Sequence, residues 1–165
     1  MSPSSMIRTA ANLALKALGY IDFVPGLLTR VLVGYAFYDS GGGKITNFDN
    51  TVSFFTDLGI PFPELNAAFV SRLEYYGGLL LFFGIFTRIV AALLSSTMVV
   101  ALLTADRANF VGSLLRTSET GLSDIPAFVL LVFLSWLVVK GPGRLSVDAL
   151  LKRLVAGEPE PAKTA

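Results

Sequence analysis

Four long apolar runs constrain the fold of this chain more than any other feature. They cover residues 26–42, 66–86, 89–105 and 125–139, and their lengths approach the roughly 20 residues that a helix needs to cross a bilayer. Of the 165 residues, 53% are hydrophobic and 15% are charged, whereas a soluble domain carries about 25% charged residues. The pattern predicts an all-α integral membrane protein in which four spans form one helical bundle.

The sequence outside these runs predicts two interfacial helices that flank a domain covering residues 21–144. Residues 1–20 begin polar and continue with a 3.6-residue apolar period, which is typical of an amphipathic helix on a membrane surface. A signal peptide is the competing interpretation, but Lys16 interrupts its apolar segment. Residues 145–165 predict a second amphipathic helix and a disordered tail. A polar loop is expected between the first two spans.

Basic residues indicate the orientation of the chain. They precede the first run, lie between the second and third, and follow the fourth: Arg8, Lys16, Arg88, Lys140, Arg144, Lys152 and Arg153. Because cytoplasmic loops are enriched in lysine and arginine, both termini are predicted to be cytoplasmic.

The absence of cysteine and histidine from the sequence excludes several kinds of chemistry. Without cysteine the chain has no disulfide, thiolate nucleophile or iron–sulfur ligand. Without histidine it lacks the commonest metal and haem ligand. We therefore expect no haem, metal or iron–sulfur cofactor. A net charge of +1 with scattered basic residues also argues against a nucleic-acid partner.

Charged residues within or beside the apolar runs have a regular spacing. Each would cost roughly 2.5 to 3.5 kcal/mol at the centre of a bilayer. Lys44 follows Arg30 by 14 residues, and Glu74 precedes Arg88 by 14 residues on a helix of opposite direction. At 1.5 Å per residue both lie about 21 Å from the boundary that the two arginines mark. The spacing predicts a Lys44–Glu74 pair, with Arg72 and Asp39 nearby.

Several motifs give the chain a resemblance to a known family. They are Arg30-x3-Gly34-x2-Phe37, Gly43-Lys44-Ile45, Phe54-Phe55, Leu58-Gly59-Ile60-Pro61, the run from Glu74-x2-Gly77-Gly78 to Thr87-Arg88, and Gly141-Pro142-Gly143-Arg144-Leu145-Ser146-Val147-Asp148. Over approximately residues 27–148 the sequence resembles the DoxX family. The resemblance implies a small four-helix protein of the bacterial inner membrane. DoxD-like relatives form a thiosulfate:quinone oxidoreductase with a second subunit, and other relatives are linked to complexes that handle sulfur and oxidative stress.

The resemblance also limits which family residues carry over. Family members often have a histidine near the end of the first span, where this chain has Asp39-Ser40-Gly41. No role of that histidine is therefore transferred.

Candidate site residues follow from the charge spacing together with this resemblance. Glu74 is the candidate catalytic residue, because a buried carboxylate could exchange the proton that accompanies quinone reduction. The alternative is a structural ion pair that fixes helix register. The candidate ligand-binding residues are Lys44, Arg72, Asp39, Tyr38 and Tyr75. Lys44 and Arg72 could bind a quinone oxygen or a small oxyanion, or they could extend to the headgroups.

The sequence therefore predicts a membrane subunit that binds a quinone or similar lipophilic molecule between the first two spans. It would serve a redox partner subunit, as part of a quinone-linked oxidoreductase if it takes part in catalysis. Arg30 and Arg88 are predicted to be topology anchors at the cytoplasmic boundary. The alternative function is a non-catalytic scaffold, assembly factor or permeation protein, and a homo-oligomer is left open.

Overall fold

The computed structural model describes residues 23–143 and 145–156, and the regular secondary structure of these residues is all helical. They form seven α-helices and one short 3-10 helix, with no strand in the described part of the chain. The α-helices are α1 (Phe23–Thr46), α2 (Phe48–Asp57), α3 (Pro63–Phe83), α4 (Thr87–Leu103), α5 (Arg107–Leu114), α6 (Pro126–Lys140) and α7 (Val147–Ala156), and the 3-10 helix covers Leu122–Asp124. The all-α prediction is confirmed for these residues.

Helices α1 and α3 form the most extensive packing contact of the fold. A Cβ added at Gly34 would lie 2.7 Å from the backbone nitrogen of Phe82 and 2.9 Å from the carbonyl oxygen of Gly78. A Cβ added at Gly41 would meet the backbone of Tyr75 in the same way. Small residues thus let the two backbones touch, as they do in membrane helix pairs.

The segment after α1 differs from its prediction. A polar loop was predicted after the first run, but α1 continues through Lys44 to Thr46 and residues 48–57 form α2. The loop prediction was wrong here because α2 is amphipathic, with Thr51 and Phe55 buried one turn apart. The Thr51 hydroxyl lies within hydrogen-bonding distance of the carbonyl oxygens of Asn47 (3.1 Å) and Lys44 (3.3 Å), which ties α2 to the end of α1.

Helices α4 and α6 complete the packing around α3 and α1. Leu94 and Leu134 are fully buried in the core that these helices share with Leu81 of α3. Many large apolar side chains nevertheless face outward, including Leu32 (65% exposed) and Val139 (73% exposed).

No individual helix among the described residues is both long and apolar enough to cross a bilayer. Helices α4 and α5 together meet that requirement by length and composition, and they are bent by 81° at the break between them. The four-span bundle stays a prediction. The predicted interfacial helix in residues 1–20, the tail after residue 156 and Arg144 lie outside the described residues.

Candidate functional site

The candidate site is centred on Glu74, a carboxylate in the middle of α3. Glu74 is only 2% exposed and lies on the buried stripe of α3, among Ser71, Gly77 and Gly78. Its Oε2 accepts hydrogen bonds from the Ser40 hydroxyl, at 3.0 Å, and from the Lys44 ammonium. The Lys44–Glu74 ion pair that the spacing predicted is confirmed.

The local structure of α1 places two polar side chains together beside Glu74. Ser40 and Lys44 are one helical turn apart, and the Lys44 Nζ also donates to the Ser40 Oγ at 2.9 Å. Gly41 faces the backbone of Tyr75 and so brings this turn of α1 against Glu74. A closed triad of Ser40, Lys44 and Glu74 results, in which the Lys44 side chain is 29% exposed.

A cavity of about 290 Å³ lies against this triad. Lys44 and Glu74 are part of its wall, and most of the remaining wall is apolar, with Phe55 from α2, Phe69 from α3 and Met98 from α4. Sequence reasoning placed the ligand between the first two spans, whereas this cavity lies where α2, α3 and α4 meet near the end of α1. Its volume is near the lower limit of the roughly 300 to 1,000 Å³ that is usual for small-molecule sites.

The other predicted ligand-binding residues do not line this cavity. Arg72 is exposed on a separate surface groove, where its guanidinium donates to the Ala68 carbonyl at 3.0 Å. Asp39 is exposed and makes no side-chain hydrogen bond or ion pair with any described residue. Tyr38 and Tyr75 stack on each other, with ring centroids 4.7 Å apart, and Tyr38 lines another surface groove. The structure thus separates these four residues from the Lys44–Glu74 cavity.

Arg30 and Arg88 lie at the opposite end of the α1–α3 helix pair. Arg30 is 4% exposed, and its guanidinium donates to the carbonyl oxygens of Pro142 and Leu145, both at 2.6 Å. Arg88 is exposed and donates to the Val139 carbonyl at 3.2 Å. Their role as topology anchors stays a prediction, but Arg30 also holds the segment that follows α6.

Asp148 caps the start of α4 at this same end. Its two carboxylate oxygens accept the backbone N–H groups of Phe86, at 2.8 Å, and Thr87, at 2.9 Å, at the N-terminus of α4. A carboxylate there satisfies free N–H groups and faces the positive end of the helix dipole. Gly84 follows the last residue of α3 and has a φ of 73°. A Cβ on Gly84 would lie 2.6 Å from the Cβ of Ser146, so glycine lets the segment that carries Asp148 approach the start of α4.

Sequence reasoning missed several residues of the candidate site. Ser40 bridges Lys44 and Glu74, and its four-residue spacing from Lys44 on one helix was the available signal. Ser96 and Thr97 of α4 also line the cavity. Met98 belongs both to the core and to the cavity wall.

Comparisons with known proteins agree with the sequence motifs. The DoxX family profile matches residues 26–107. The chain is 33% identical over 135 residues to the inner membrane protein YqjF of Escherichia coli (strain K12), which covers 81% of this chain and 96% of YqjF. The chain belongs to the DoxX family.

Two further relatives of this DoxX protein are informative. It is 29% identical over 144 residues to the inner membrane protein YphA of Escherichia coli (strain K12), covering 81% of this chain and 99% of YphA. It is 36% identical over 88 residues to the Bacillus subtilis (strain 168) protein named "Putative oxidoreductase CatD", covering 53% of this chain and 64% of CatD. No solved structure matches the chain.

Proposed function

We propose that this DoxX protein is an inner-membrane protein that binds a quinone or another small lipophilic molecule in the Lys44–Glu74 cavity. In this proposal it serves a membrane redox complex linked to sulfur or oxidative-stress chemistry. One observation carries the proposal: a carboxylate only 2% exposed, paired with a lysine, forms part of the wall of a largely apolar cavity of about 290 Å³. The family and the oxidoreductase name of CatD support the redox assignment.

The cavity residues fit the headgroup of such a ligand. Phe55, Phe69 and Met98 offer apolar and aromatic surface for a flat ring. Lys44 has three N–H groups and uses two of them on Ser40 and Glu74, so one remains for a carbonyl oxygen. Phe69 is also 58% exposed on the surface of the protein, so an apolar tail has a route out of the cavity into lipid.

A proton role for Glu74 follows from the same geometry. A bound quinone would supply the electron-accepting chemistry, with electrons delivered by a partner subunit. The chain itself would bind the ring, orient one oxygen toward Lys44 and hold a proton at the carboxylate of Glu74. General acid–base groups need hydrogen-bond reach of the atom they serve, and Glu74 meets this requirement for a ligand in the cavity that it lines.

We also infer a multi-pass topology with both termini cytoplasmic. One end of the α1–α3 pair contains Arg30, Arg88 and the end of α6, and the Lys44–Glu74 pair lies away from that end. Basic residues at one end and outward-facing apolar side chains between the ends are typical of helices that alternate across a membrane. The inner-membrane names of YqjF and YphA support the location.

The test combines extraction of bound ligand with a variant that fills the cavity. Protein purified in mild detergent is extracted with solvent and examined for quinone absorbance, and binding of a short-chain benzoquinone is then measured by titration. Ala101→Phe places a large side chain in the cavity wall, while the control Leu103→Phe changes a residue of the same helix that is 60% exposed.

We expect Ala101→Phe to lose binding and Leu103→Phe to keep it, with helical circular dichroism retained in both. Ala105→Phe, which alters the cavity wall beyond the end of α4, serves if Ala101→Phe does not fold. A wild-type protein that carries no quinone and binds none would contradict the proposal and favour a scaffold or assembly role. Undiminished binding by both cavity variants would place the ligand elsewhere.

A further inference from the structure

The two oxygens of Glu74 are in different situations. Oε2 accepts both hydrogen bonds of the triad, from Ser40 and from Lys44. Oε1 accepts no hydrogen bond from any described residue, although Glu74 is 2% exposed and lines the cavity. The fully buried side-chain polar atoms without a partner among the described residues are the Arg30 Nε and the Thr87 Oγ1, so Oε1 of Glu74 is still accessible to a donor. A ligand that covers Oε1 without donating a hydrogen bond would leave a charged acceptor unpaired, which is costly.

The hydroxyl groups across the cavity are also acceptors. Thr97, which is 9% exposed, donates its hydroxyl proton to the Leu94 carbonyl at 2.8 Å. Ser96 donates its hydroxyl proton to the Leu93 carbonyl at 2.6 Å. Each oxygen keeps lone pairs that can accept a further hydrogen bond. The two cavity-lining hydroxyls of α4 therefore present acceptors to a ligand more readily than donors.

From this arrangement, and resting on the proposed function, we infer that the cavity selects the hydroxyl-bearing form of its ligand. The class is an uncharged hydroquinone or a related flat phenol, and the corresponding quinone binds more weakly. A ligand hydroxyl can donate to the Oε1 of Glu74 while its oxygen accepts the remaining N–H of Lys44. A carbonyl oxygen can satisfy only Lys44, and it leaves Oε1 desolvated without a donor.

The size of the preference follows from that one hydrogen bond. A hydrogen bond to an ionised acceptor contributes more than one between neutral groups, and its loss in a closed site leaves the acceptor unpaired. We expect the hydroquinone to bind at least about tenfold more tightly than the quinone with the same ring substituents. Glu74 is thus a specificity-determining residue for the oxidation state of the ligand.

The test is a matched series of three ligands titrated into the full-length protein in detergent under anaerobic conditions. The series comprises a short-chain benzoquinone, its hydroquinone, and the dimethyl ether of that hydroquinone. The ether keeps the ring and both oxygens but has no hydroxyl proton. The dissociation constant of each ligand is the readout, so no assay of redox activity is needed.

The inference predicts that the hydroquinone binds most tightly and that the quinone and the ether are each weaker by about tenfold or more. Quinone or ether binding as tight as that of the hydroquinone would overturn the inference while leaving the proposed function standing. Absence of binding by all three ligands would overturn both.

A variant pair locates the selectivity at Glu74. Glu74→Gln introduces an amide that offers N–H donors, so the ratio of hydroquinone to quinone affinity should fall toward one. Glu64→Gln makes the same chemical change in the first turn of α3, at an exposed position outside the cavity, and should leave the ratio unchanged. An unchanged ratio in a folded Glu74→Gln variant would overturn the assignment to Glu74. The ligand series on the unaltered protein tests the selectivity even if that variant does not fold.

Discussion

The two ends of the α1–α3 helix pair contain the same kinds of charged group and use them differently. At one end the Arg30 guanidinium is held by two backbone carbonyls, and Asp148 caps α4 with both oxygens. At the other end Lys44 and Glu74 pair with each other, and Glu74 keeps one oxygen without a partner beside a cavity. The comparison indicates that charge at the Arg30 end stabilises the fold, whereas at the Glu74 end one carboxylate oxygen has no partner among the described residues and can serve the proposed ligand.

The largest effect on stability is expected from Arg30→Met. The substitution removes two hydrogen bonds that the buried, charged Arg30 guanidinium donates to the carbonyl oxygens of Pro142 and Leu145, and a hydrogen bond of a charged group contributes about 1.5 to 3 kcal/mol. We expect the free energy of unfolding to fall by about 2 to 4 kcal/mol, measured by circular dichroism in detergent. The control Arg88→Met removes one longer bond from an exposed side chain and should cost less. Equal losses in the two variants would contradict the structural role of Arg30.

A smaller loss is expected from Gly41→Ala, which acts beside Glu74. The added Cβ would lie 2.7 Å from the Cα of Tyr75 and 2.9 Å from the carbonyl carbon of Glu74, so α1 and α3 must separate. Overpacking of this kind costs about 1 to 3 kcal/mol, and it should also weaken ligand binding by moving Lys44 away from Glu74.

Gly43→Ala is the matched control. Gly43 lies on the same helix as Gly41, but its added Cβ would have no neighbouring atom within 4 Å. Alanine is the better helix former, so this variant should be as stable as the wild type or more stable. Thermal unfolding of the two variants together gives the comparison. A Gly41→Ala protein as stable as Gly43→Ala would show that the close contact at the Glu74 end is not needed.

The smallest effect is expected from Arg72→Gln. Arg72 lies on α3 close to Glu74 in sequence, but it is exposed on a different groove. We expect the free energy of unfolding to change by less than about 0.5 kcal/mol. Titration should give a dissociation constant for the short-chain hydroquinone that is unchanged. A loss of binding comparable to that of a cavity variant would extend the site to this groove.

The features of the fold and of the site that depend on local periodicity could be predicted from the sequence. The apolar runs predicted the positions of α3, α4 and α6 to within a few residues. The Lys44–Glu74 pair could be predicted as well, because the fixed rise of a helix converts equal spacing into equal depth.

The features that depend on contacts between segments far apart in the sequence could not be predicted. Helix α2 is short and amphipathic, and an isolated helix of that length is marginal until it packs on α3. The burial of Arg30 depends on carbonyls more than 100 residues further along the chain, for which no local pattern exists. The cavity depends on how α2, α3 and α4 pack, so its lining by Ser96 and Thr97 had no signal in the sequence.

The most direct test of the functional difference between the two ends is hydroquinone binding by the double variant Lys44→Met/Glu74→Leu. Only Glu74 of this ion pair is fully buried, and replacing both members of such a pair by apolar side chains is often neutral for stability, since no charge is left unpaired. We predict a free energy of unfolding within about 1 kcal/mol of the wild type and at least about a tenfold loss of affinity for the short-chain hydroquinone. A folded double variant that binds the hydroquinone as tightly as the wild type would contradict the account and make Lys44 and Glu74 a purely structural pair.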